Sequence, residues 1–238
     1  MSEKTLTAAL FGAIADWSKP LFTFYDDRSG ERTELSGATL GNWAAKTANF
    51  LVTELGVIPG DEIVVDLPEH WQSAAILLGA WWSGAHIRLS DADLDGTAVA
   101  AITTVDAIDH YRDADELLVA SLDPFALGVR DLPRGVGDYA SSVRVHGDQY
   151  TPPRYGGAAL EGLSAEEITS IARSTAAAEG IRPGSRVLST REWHSRDGVI
   201  ATLVAPLSVG ASLVWVAPTA ATDLPARAAS ERADIVLD

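Results

Sequence analysis

The strongest constraint on the fold is the alternation of short, continuously apolar segments with stretches of helical spacing. "DEIVVDLP", "RVLST" and "SLVWVAP" are apolar along most of their length and do not alternate between apolar and polar residues. Strands of this kind, separated by helices, form parallel sheets that are covered on both faces. The sequence therefore predicts an α/β fold with mainly parallel sheets covered by helices. The predicted helical stretches are residues 107–112, 165–179, 198–209 and 223–232.

The beginning of the chain departs from this alternation. "LFTFYDDRSGERTELS" predicts a hairpin that turns at residues 28–30. Ser36 is the expected N-cap of the next helix, which Gly56 and the pair Pro59-Gly60 end. The residues of this helix that share one face at helical spacing are Leu40, Trp43, Ala44, Thr47, Leu51 and Leu55.

Composition excludes several classes of protein. The chain has no cysteine, which excludes a thiol nucleophile and cysteine-ligated metals. Its net charge of -15 opposes binding to nucleic acid and to anionic membranes, so neither partner is expected. Lys46 is the last of only three lysines. No apolar run reaches the length of a membrane span, and a cytoplasmic protein is the expectation.

Short motifs give little support for known chemistry. "GVGDYA" (135–140) has the letters of a dinucleotide fingerprint, but the extended-looking "SSVRVHG" follows it, so we interpret it as a plain loop. "DADLDG" (91–96) copies half of a calcium loop, but Ile102 stands where a bidentate carboxylate is needed. No metal site is predicted. Neither a GxSxG elbow nor an HExxH pair occurs.

Two long blocks of the chain match known sequence patterns. The first, "ERTELSGATLGNWAAKTANFLVTELGVIPGDEIVVDLPEHWQSAAILLGAWWSGA", is similar to a pattern with the elements "LTYxEL", "LGVxPGDxV" and "LPN". The second, "EGIRPGSRVLSTREWHSRDGVIATLVAPLSVGASLVWVAP", is similar to "GLxPGDRVLxxxPLFHxxGxxxxLLxPLxxGAxVVL". Taken in order, the two blocks resemble the N-terminal part of the AMP-forming acyl-CoA synthetase, adenylation-domain and luciferase superfamily. The resemblance implies a partial N-terminal domain of an AMP-binding enzyme with two sublobes, as in a group of short relatives. The expected sublobes are residues 57–180 and residues 1–56 plus 181–238.

The same resemblance implies a phosphate-binding loop, "TSGTTGxPKG" in the superfamily, between the two blocks. The corresponding stretch "YTPPRYGGAALE" lacks a lysine and has few hydroxyls, and its prolines have no N–H to donate. We expect ATP and Mg²⁺ not to bind there, because Glu161, Glu166 and Glu167 also bring negative charge to the start of the following helix. The residues at this degenerate position are Thr151, Pro152, Pro153, Arg154, Tyr155, Gly156 and Gly157.

Of the functional positions that the resemblance implies, two carry over. His194 matches the histidine or aromatic residue that lines the acyl pocket, and Trp193 matches the bulky aromatic position beside it. The adenine turn, the ribose aspartate, the hinge and the C-terminal domain with its catalytic lysine all follow this region in the superfamily, and the sequence ends at Asp238. No confident catalytic residue is therefore identified.

Three functional hypotheses remain open. The first is a non-catalytic, pseudoenzyme-like module that keeps an acyl-binding or partner-binding crevice. The second is one half of a split acyl-adenylate-forming ligase, completed by a separate chain. The third is a structural or regulatory module that dimerises. In the last two, a partner chain or a second copy covers the surface where the rest of the large domain would pack.

Overall fold

The computed structural model describes residues 4–89, 98–218 and 223–238. The chain folds into two compact units, each made of two segments of the sequence. Unit 1 comprises Met1–Ala8 and Gly41–Glu166, and unit 2 comprises Ala9–Leu40 and Glu167–Asp238. The expected sublobes, residues 57–180 and residues 1–56 plus 181–238, stay a prediction.

Unit 1 is built on a sheet with the strand order β7-β6-β5-β3-β4-β8-β9 within the described residues. Its pairings are parallel except for the last, β8 with β9. The middle of the sheet is apolar, and Ile63, Ile87 and Ala100 lie opposite one another in adjacent strands. The strands are β3 (Glu62–Val65), β4 (His86–Leu89), β5 (Ala98–Thr103), β6 (Leu117–Val119), β7 (Val136–Asp138), β8 (Ala158–Leu160) and β9 (Leu163–Ser164).

The helices of this part of the chain are α1 (Leu6–Phe11), α2 (Gly37–Thr53), α3 (Trp71–Ser83), α4 (Tyr139–Arg144) and a 3₁₀ helix (Val105–Tyr111). Helix α3 is buried on nearly every side, which explains its continuous apolar sequence. It ends at Gly84, whose left-handed backbone (φ 90°) lets its N–H reach the last carbonyls of the helix. The 3₁₀ helix covers a core cluster with Ile108 and Tyr111.

Helices α2 and α3 approach each other closely at Gly79. A Cβ atom at this position would lie 2.7 Å from the Cγ2 atom of Thr47 and 2.8 Å from the carbonyl oxygen of Ala44. Only glycine fits there without moving a helix backbone. Helix α2 and the buried helix α3 are therefore in direct contact at Gly79.

Unit 2 is built on a smaller sheet with the strand order β12-β10-β11-β1-β2 within the described residues. The pairings are parallel except for the hairpin of β1 and β2, as the sequence predicted. The strands are β1 (Pro20–Asp26), β2 (Glu31–Ser36), β10 (Arg186–Ser189), β11 (Ser212–Val216) and β12 (Ile235–Leu237). The helices are α5 (Ala165–Ala178), α6 (Arg196–Gly198), a π-helix (Val199–Val204), α7 (Ala205–Ser208) and α8 (Leu224–Glu231).

Helix α8 packs on this sheet through Leu224 and Ala228, which contact a core cluster that includes Tyr25 and Val214. Four aromatic side chains elsewhere in the unit pack one against the next in a row. Trp215 stacks on Phe24 with ring centroids 5.7 Å apart, and Trp193 meets both Trp215 and Phe22 edge-on. The α/β class with mainly parallel, helix-covered sheets is therefore confirmed.

Two neighbouring predictions were wrong. The stretch "SSVRVHG" (141–147), expected to be extended, begins inside helix α4, and "GVGDYA" (135–140), expected to be a plain loop, includes strand β7. Helix α4 is capped by the Asp138 side chain, which accepts the N–H of Ser141 at 2.7 Å. The helical stretch predicted over 107–112 lies in a 3₁₀ helix, Val105–Tyr111, except for its last residue.

Candidate functional site

The stretch that occupies the position of a phosphate-binding loop is an irregular segment of unit 1. Residues 151–157 form neither a helix nor a strand, and they lead into β8. Thr151 and Arg154 are exposed, so the hydroxyl and the guanidinium of this loop face solvent. Pro152 and Pro153 are half-buried and have no N–H group. The loop therefore presents fewer donors than a cradle of backbone amides needs.

Tyr155 lies against Gly157 of the loop and against Gly60, which precedes β3. A Cβ atom at Gly157 would collide with the Tyr155 hydroxyl, and one at Gly60 would lie 2.9 Å from the same oxygen. Pro153 also lies close to Gly84, with its Cγ atom 3.4 Å from the position of a Cβ there. In a phosphate loop the space beside the glycines is open to the ligand. Here protein atoms lie beside Gly157, Gly60 and Gly84.

Lys46, the last ammonium group of the sequence, has structural partners in unit 1. Its Nζ atom donates to the carbonyl oxygen of His146 at 2.6 Å and to that of Arg144 at 3.3 Å, and it lies 2.6 Å from a carboxylate oxygen of Asp148. One turn further along α2, the Asn49 amide donates to two more carbonyls of the same segment, at 3.0 and 2.9 Å. Helix α2 thus holds the chain that leads into the loop.

The helix predicted over residues 165–179, α5, begins at Ala165, as expected, but the hairpin of β8 and β9 stands between it and the loop. Glu161 is in the turn of this hairpin rather than at the helix start. Its carboxylate accepts the N–H of Leu89 at 2.6 Å and lies 3.4 Å from the Arg88 guanidinium. Glu166 and Glu167 are exposed in the first turn of α5, as expected.

A polar cluster holds this hairpin against the sheet. His86 accepts the N–H of Gly162 at its Nε2 atom, at 2.9 Å, and its Nδ1 atom lies 3.1 Å from a carboxylate oxygen of Glu62. Because Nε2 accepts in this contact, the hydrogen that faces the Glu62 carboxylate is on Nδ1. Trp81 adds a further anchor by donating its indole N–H to Ala159 at 2.9 Å. The segment after the loop is therefore fixed by side chains from several strands and helices.

The acyl-pocket candidates lie in unit 2, after β10 and before α6. Trp193 is 3% exposed and packs into the aromatic group described above. His194 is exposed, and its Nε2 atom lies 3.6 Å from a carboxylate oxygen of Glu192. These two adjacent residues thus differ in burial, since the tryptophan lies in the core and the histidine lies at the surface. The π-helix that follows begins at Val199, and such helices often occur at functional sites.

A polar network in unit 2 escaped sequence reasoning. The Glu231 carboxylate accepts hydrogen bonds from the Tyr25 hydroxyl, from Arg186 and from Arg32. Burial raises the pKa of Glu231, but these hydrogen bonds outweigh it and the net pKa is lowered. The pKa of Tyr25 is raised, first by burial and then by its hydrogen bond to Glu231. Glu231 lies 206, 199 and 45 residues from Tyr25, Arg32 and Arg186 along the sequence, so no local pattern joins them.

Beside this network lies a polar cavity of about 410 Å³, lined by Asp27, Asp223, Ala226, Arg227 and Ser230. The Arg227 guanidinium stacks over the Tyr25 ring, 3.8 Å from its centroid, and lies 2.7 Å from a carboxylate oxygen of Asp27. A cation–π contact and an ion pair therefore hold the Arg227 guanidinium in this position.

Two further expectations concern metals and membranes. Across residues 4–89, 98–218 and 223–238, His, Asp and Glu side chains form no group of three or more that could hold a metal ion. The half calcium loop at 91–96 lies outside the described residues. None of the helices in the described part of the chain is long and apolar enough to cross a membrane.

Solved structures with the same fold define the class. The chain is similar to an acyl-CoA synthetase from Brucella canis, with a TM-score of 0.79 and 16% identity over 98% of this chain and 46% of that one. It is similar to the N-terminal domain of FACL13 from Mycobacterium tuberculosis, with a TM-score of 0.73 and 16% identity over 98% of this chain and 62% of that one. It is also similar to a benzoate CoA ligase from Burkholderia xenovorans LB400, with a TM-score of 0.73 and 19% identity over 98% of this chain and 49% of that one.

The fold is thus that of the N-terminal domain of AMP-forming acyl-CoA synthetases, as the sequence resemblance implied, and the chain spans about half of the Brucella enzyme. Among curated proteins, the chain is 43% identical to a TIGR03089 family protein of Mycobacterium tuberculosis (strain ATCC 25618 / H37Rv), over 98% of both chains. The chain therefore belongs to the TIGR03089 family. No protein-family model matches the sequence.

Proposed function

We propose that this protein is a non-catalytic relative of the acyl-CoA synthetases, which keeps their N-terminal scaffold as a binding or regulatory module. The observation that carries the proposal is the contact of Tyr155 with Gly60 and Gly157. A phosphate loop works because its glycines leave room for phosphate and its amides point at it. Here the Tyr155 side chain lies against Gly157 at the loop position and against Gly60 of a neighbouring turn.

The charges of the loop support the same conclusion. Arg154 is the cation of residues 151–157 and is exposed, whereas Lys46 is engaged with Asp148 and with backbone carbonyls. A triphosphate with Mg²⁺ needs several donors and at least one cation fixed toward it. We therefore propose that ATP and Mg²⁺ do not bind, and that the chain does not form acyl adenylates by itself.

Isothermal titration calorimetry with ATP and MgCl₂ tests the proposal directly. We expect no heat of binding at micromolar concentrations, and no pyrophosphate release in the presence of fatty or aryl acids. Micromolar affinity for ATP, or pyrophosphate release above the level of a heat-treated sample, would refute it. A Tyr155→Gly variant serves as a second sample, since phosphate binding that appeared only in this variant would identify the tyrosine as the obstacle.

A second candidate is one half of a split ligase, which a separate chain completes. The observation in its favour is that the chain corresponds to 46% of the Brucella synthetase and 49% of the Burkholderia ligase. In this case the acyl group would bind beside Trp193 and His194, and the second chain would supply the adenine and ribose contacts. Pyrophosphate release that requires both chains in a reconstituted mixture would establish this function and exclude the first.

A further inference from the structure

One segment of unit 1 presents apolar side chains to solvent. Three large apolar residues of the stretch 123–146 are more than half exposed: Phe125 at 80%, Leu127 at 56% and Val145 at 84%. Large apolar side chains gathered on a surface commonly mark an interaction site. Three exposed arginines and one exposed carboxylate, Asp131, accompany them in the same stretch, so its exposed charge is net positive. We call the three apolar residues and the three arginines the apolar–arginine patch. The arginines are Arg130, Arg134 and Arg144.

The backbone under this patch is held in one conformation. The Asp123 carboxylate accepts the N–H groups of Phe125 at 2.8 Å and Leu127 at 3.2 Å. Ala126 between them is fully buried and has a positive φ of 52°. Its carbonyl oxygen accepts from Arg144 at 2.6 Å, which ties the turn to the end of α4. A non-glycine residue keeps such a backbone only when its surroundings enforce it, so the patch is preorganised for contact.

The same unit carries a surface of opposite charge, residues 105–116, which we call the acidic segment. It begins with Val105, which is 48% exposed, and it includes the 3₁₀ helix. Its single arginine, Arg112, is paired with Asp109 at 2.6 Å. Five acidic side chains of the segment are exposed: Asp106, Asp109, Asp113, Asp115 and Glu116.

We infer that the apolar–arginine patch binds the acidic segment of a second copy of this chain, and that the reciprocal contact forms a two-fold dimer. Direct contact between two patches is disfavoured, because it would bring arginines against arginines. One patch offers only a few hundred Å² of apolar surface, whereas a stable interface needs about 1,200–2,000 Å² in total. In a two-fold dimer the contact between a patch and an acidic segment forms twice, which brings the total buried area toward that range. This inference goes beyond the proposed function and does not depend on it.

Sedimentation velocity of the full chain tests the inference. We expect a dimer at about 50 mM NaCl that dissociates at about 500 mM, because salt screens the contact between arginines and carboxylates. Phe125→Ser should weaken dimerisation at least about tenfold, as expected for loss of a buried aromatic anchor. Ile58→Ser is the matched control, since Ile58 is 63% exposed and lies outside both surfaces, and it should dimerise like the parent.

Charge reversal distinguishes this contact from other modes of association. Arg130→Glu with Arg134→Glu, and separately Asp113→Arg with Asp115→Arg, should each abolish the dimer. An equimolar mixture of the two double variants should dimerise again, because both contacts in the mixed pair are then complementary. Reversal of two exposed arginines outside the patch, Arg173→Glu with Arg182→Glu, is the control and should leave the dimer intact.

Three results would overturn the inference. The parent chain could remain monomeric at low salt and high concentration. The dimer could be indifferent to the Phe125 and arginine variants, which would place the interface elsewhere. The mixture of double variants could stay monomeric while each is folded by circular dichroism, which would exclude the reciprocal contact.

Discussion

Replacing Glu231 by Gln tests how much the buried polar network stabilises unit 2. The Glu231 side chain is 7% exposed, its partner Arg186 is 17% exposed and Arg32 is 44% exposed. The amide of a glutamine can still accept from Tyr25, but it leaves the nearly buried Arg186 with only the more distant Glu34 carboxylate, at 3.5 Å. Removing one partner of a buried ion pair costs about 3–5 kcal/mol. Because Arg32 retains contact with solvent and with Glu34, we place the loss at the lower end, about 3 kcal/mol.

The assay is urea unfolding followed by tryptophan fluorescence, since Trp193 and Trp215 lie in the core of the same unit. In thermal unfolding, the same loss of about 3 kcal/mol should lower the melting temperature by about 6–12 °C in a protein of this size. Glu34→Gln is the matched control. Its side chain is 32% exposed and lies 3.5 Å from Arg186, so it should cost no more than about 1 kcal/mol.

The same network predicts how the stability depends on pH. Because the pKa of Glu231 is lowered in the folded protein, its contribution is complete above the ordinary glutamate pKa of about 4.3 and is lost as the pH falls through the folded value. The difference in unfolding free energy between the parent and Glu231→Gln should therefore be constant near neutral pH and shrink below about pH 4. Equal losses for the Glu231 and Glu34 variants, or a difference that grows in acid, would contradict this account.

Three further predictions concern unit 1. Gly79→Ala should destabilise the protein by about 1–3 kcal/mol in urea unfolding, because the added methyl collides with Thr47 on α2, whereas Gly147→Ala, with its nearest contact at 3.8 Å, should be nearly neutral. Lys46→Met should raise amide hydrogen exchange in residues 144–149, measured by mass spectrometry, because it removes their side-chain anchor; unchanged exchange would show that Asn49 suffices. Asp138→Ala should cost about 1–2 kcal/mol, because this carboxylate caps α4 and also accepts the N–H of Val129 at 2.8 Å, and a neutral result would refute the cap.

The sequence predicted the parts of the fold that depend on local pattern. Continuously apolar runs identified β3, β10 and β11, and the helical spacing from Leu40 identified α2. Such periodicity reports which faces are buried, whatever the partner on the other side. The helix α4 was missed, because it is only six residues long, its Tyr139 and Val143 are residue types that favour strands, and its two serines are weak helix formers.

The degenerate loop illustrates the limit of a resemblance. Its prolines and its lack of lysine were readable in the sequence, and they led to the expectation that ATP does not bind. The role of Tyr155 was not readable, because Gly60 lies far away in the sequence and the contact exists only once the chain has folded. The hairpin between the loop and α5 was missed for a related reason, since the short strands β8 and β9 depend on pairing with each other and with β4.

By itself, the sequence determined the class of fold, the order of its longer strands and helices along the chain, and the absence of a lysine from the loop. These properties follow from hydrophobic periodicity and from residue identity, which need no knowledge of distant neighbours. Only the tertiary structure decided that Glu231 meets Arg186 and that Phe125 is exposed above a buried Ala126. Both are consequences of packing, because the burial and the charge partners of a side chain are set by residues that the fold brings together from remote positions.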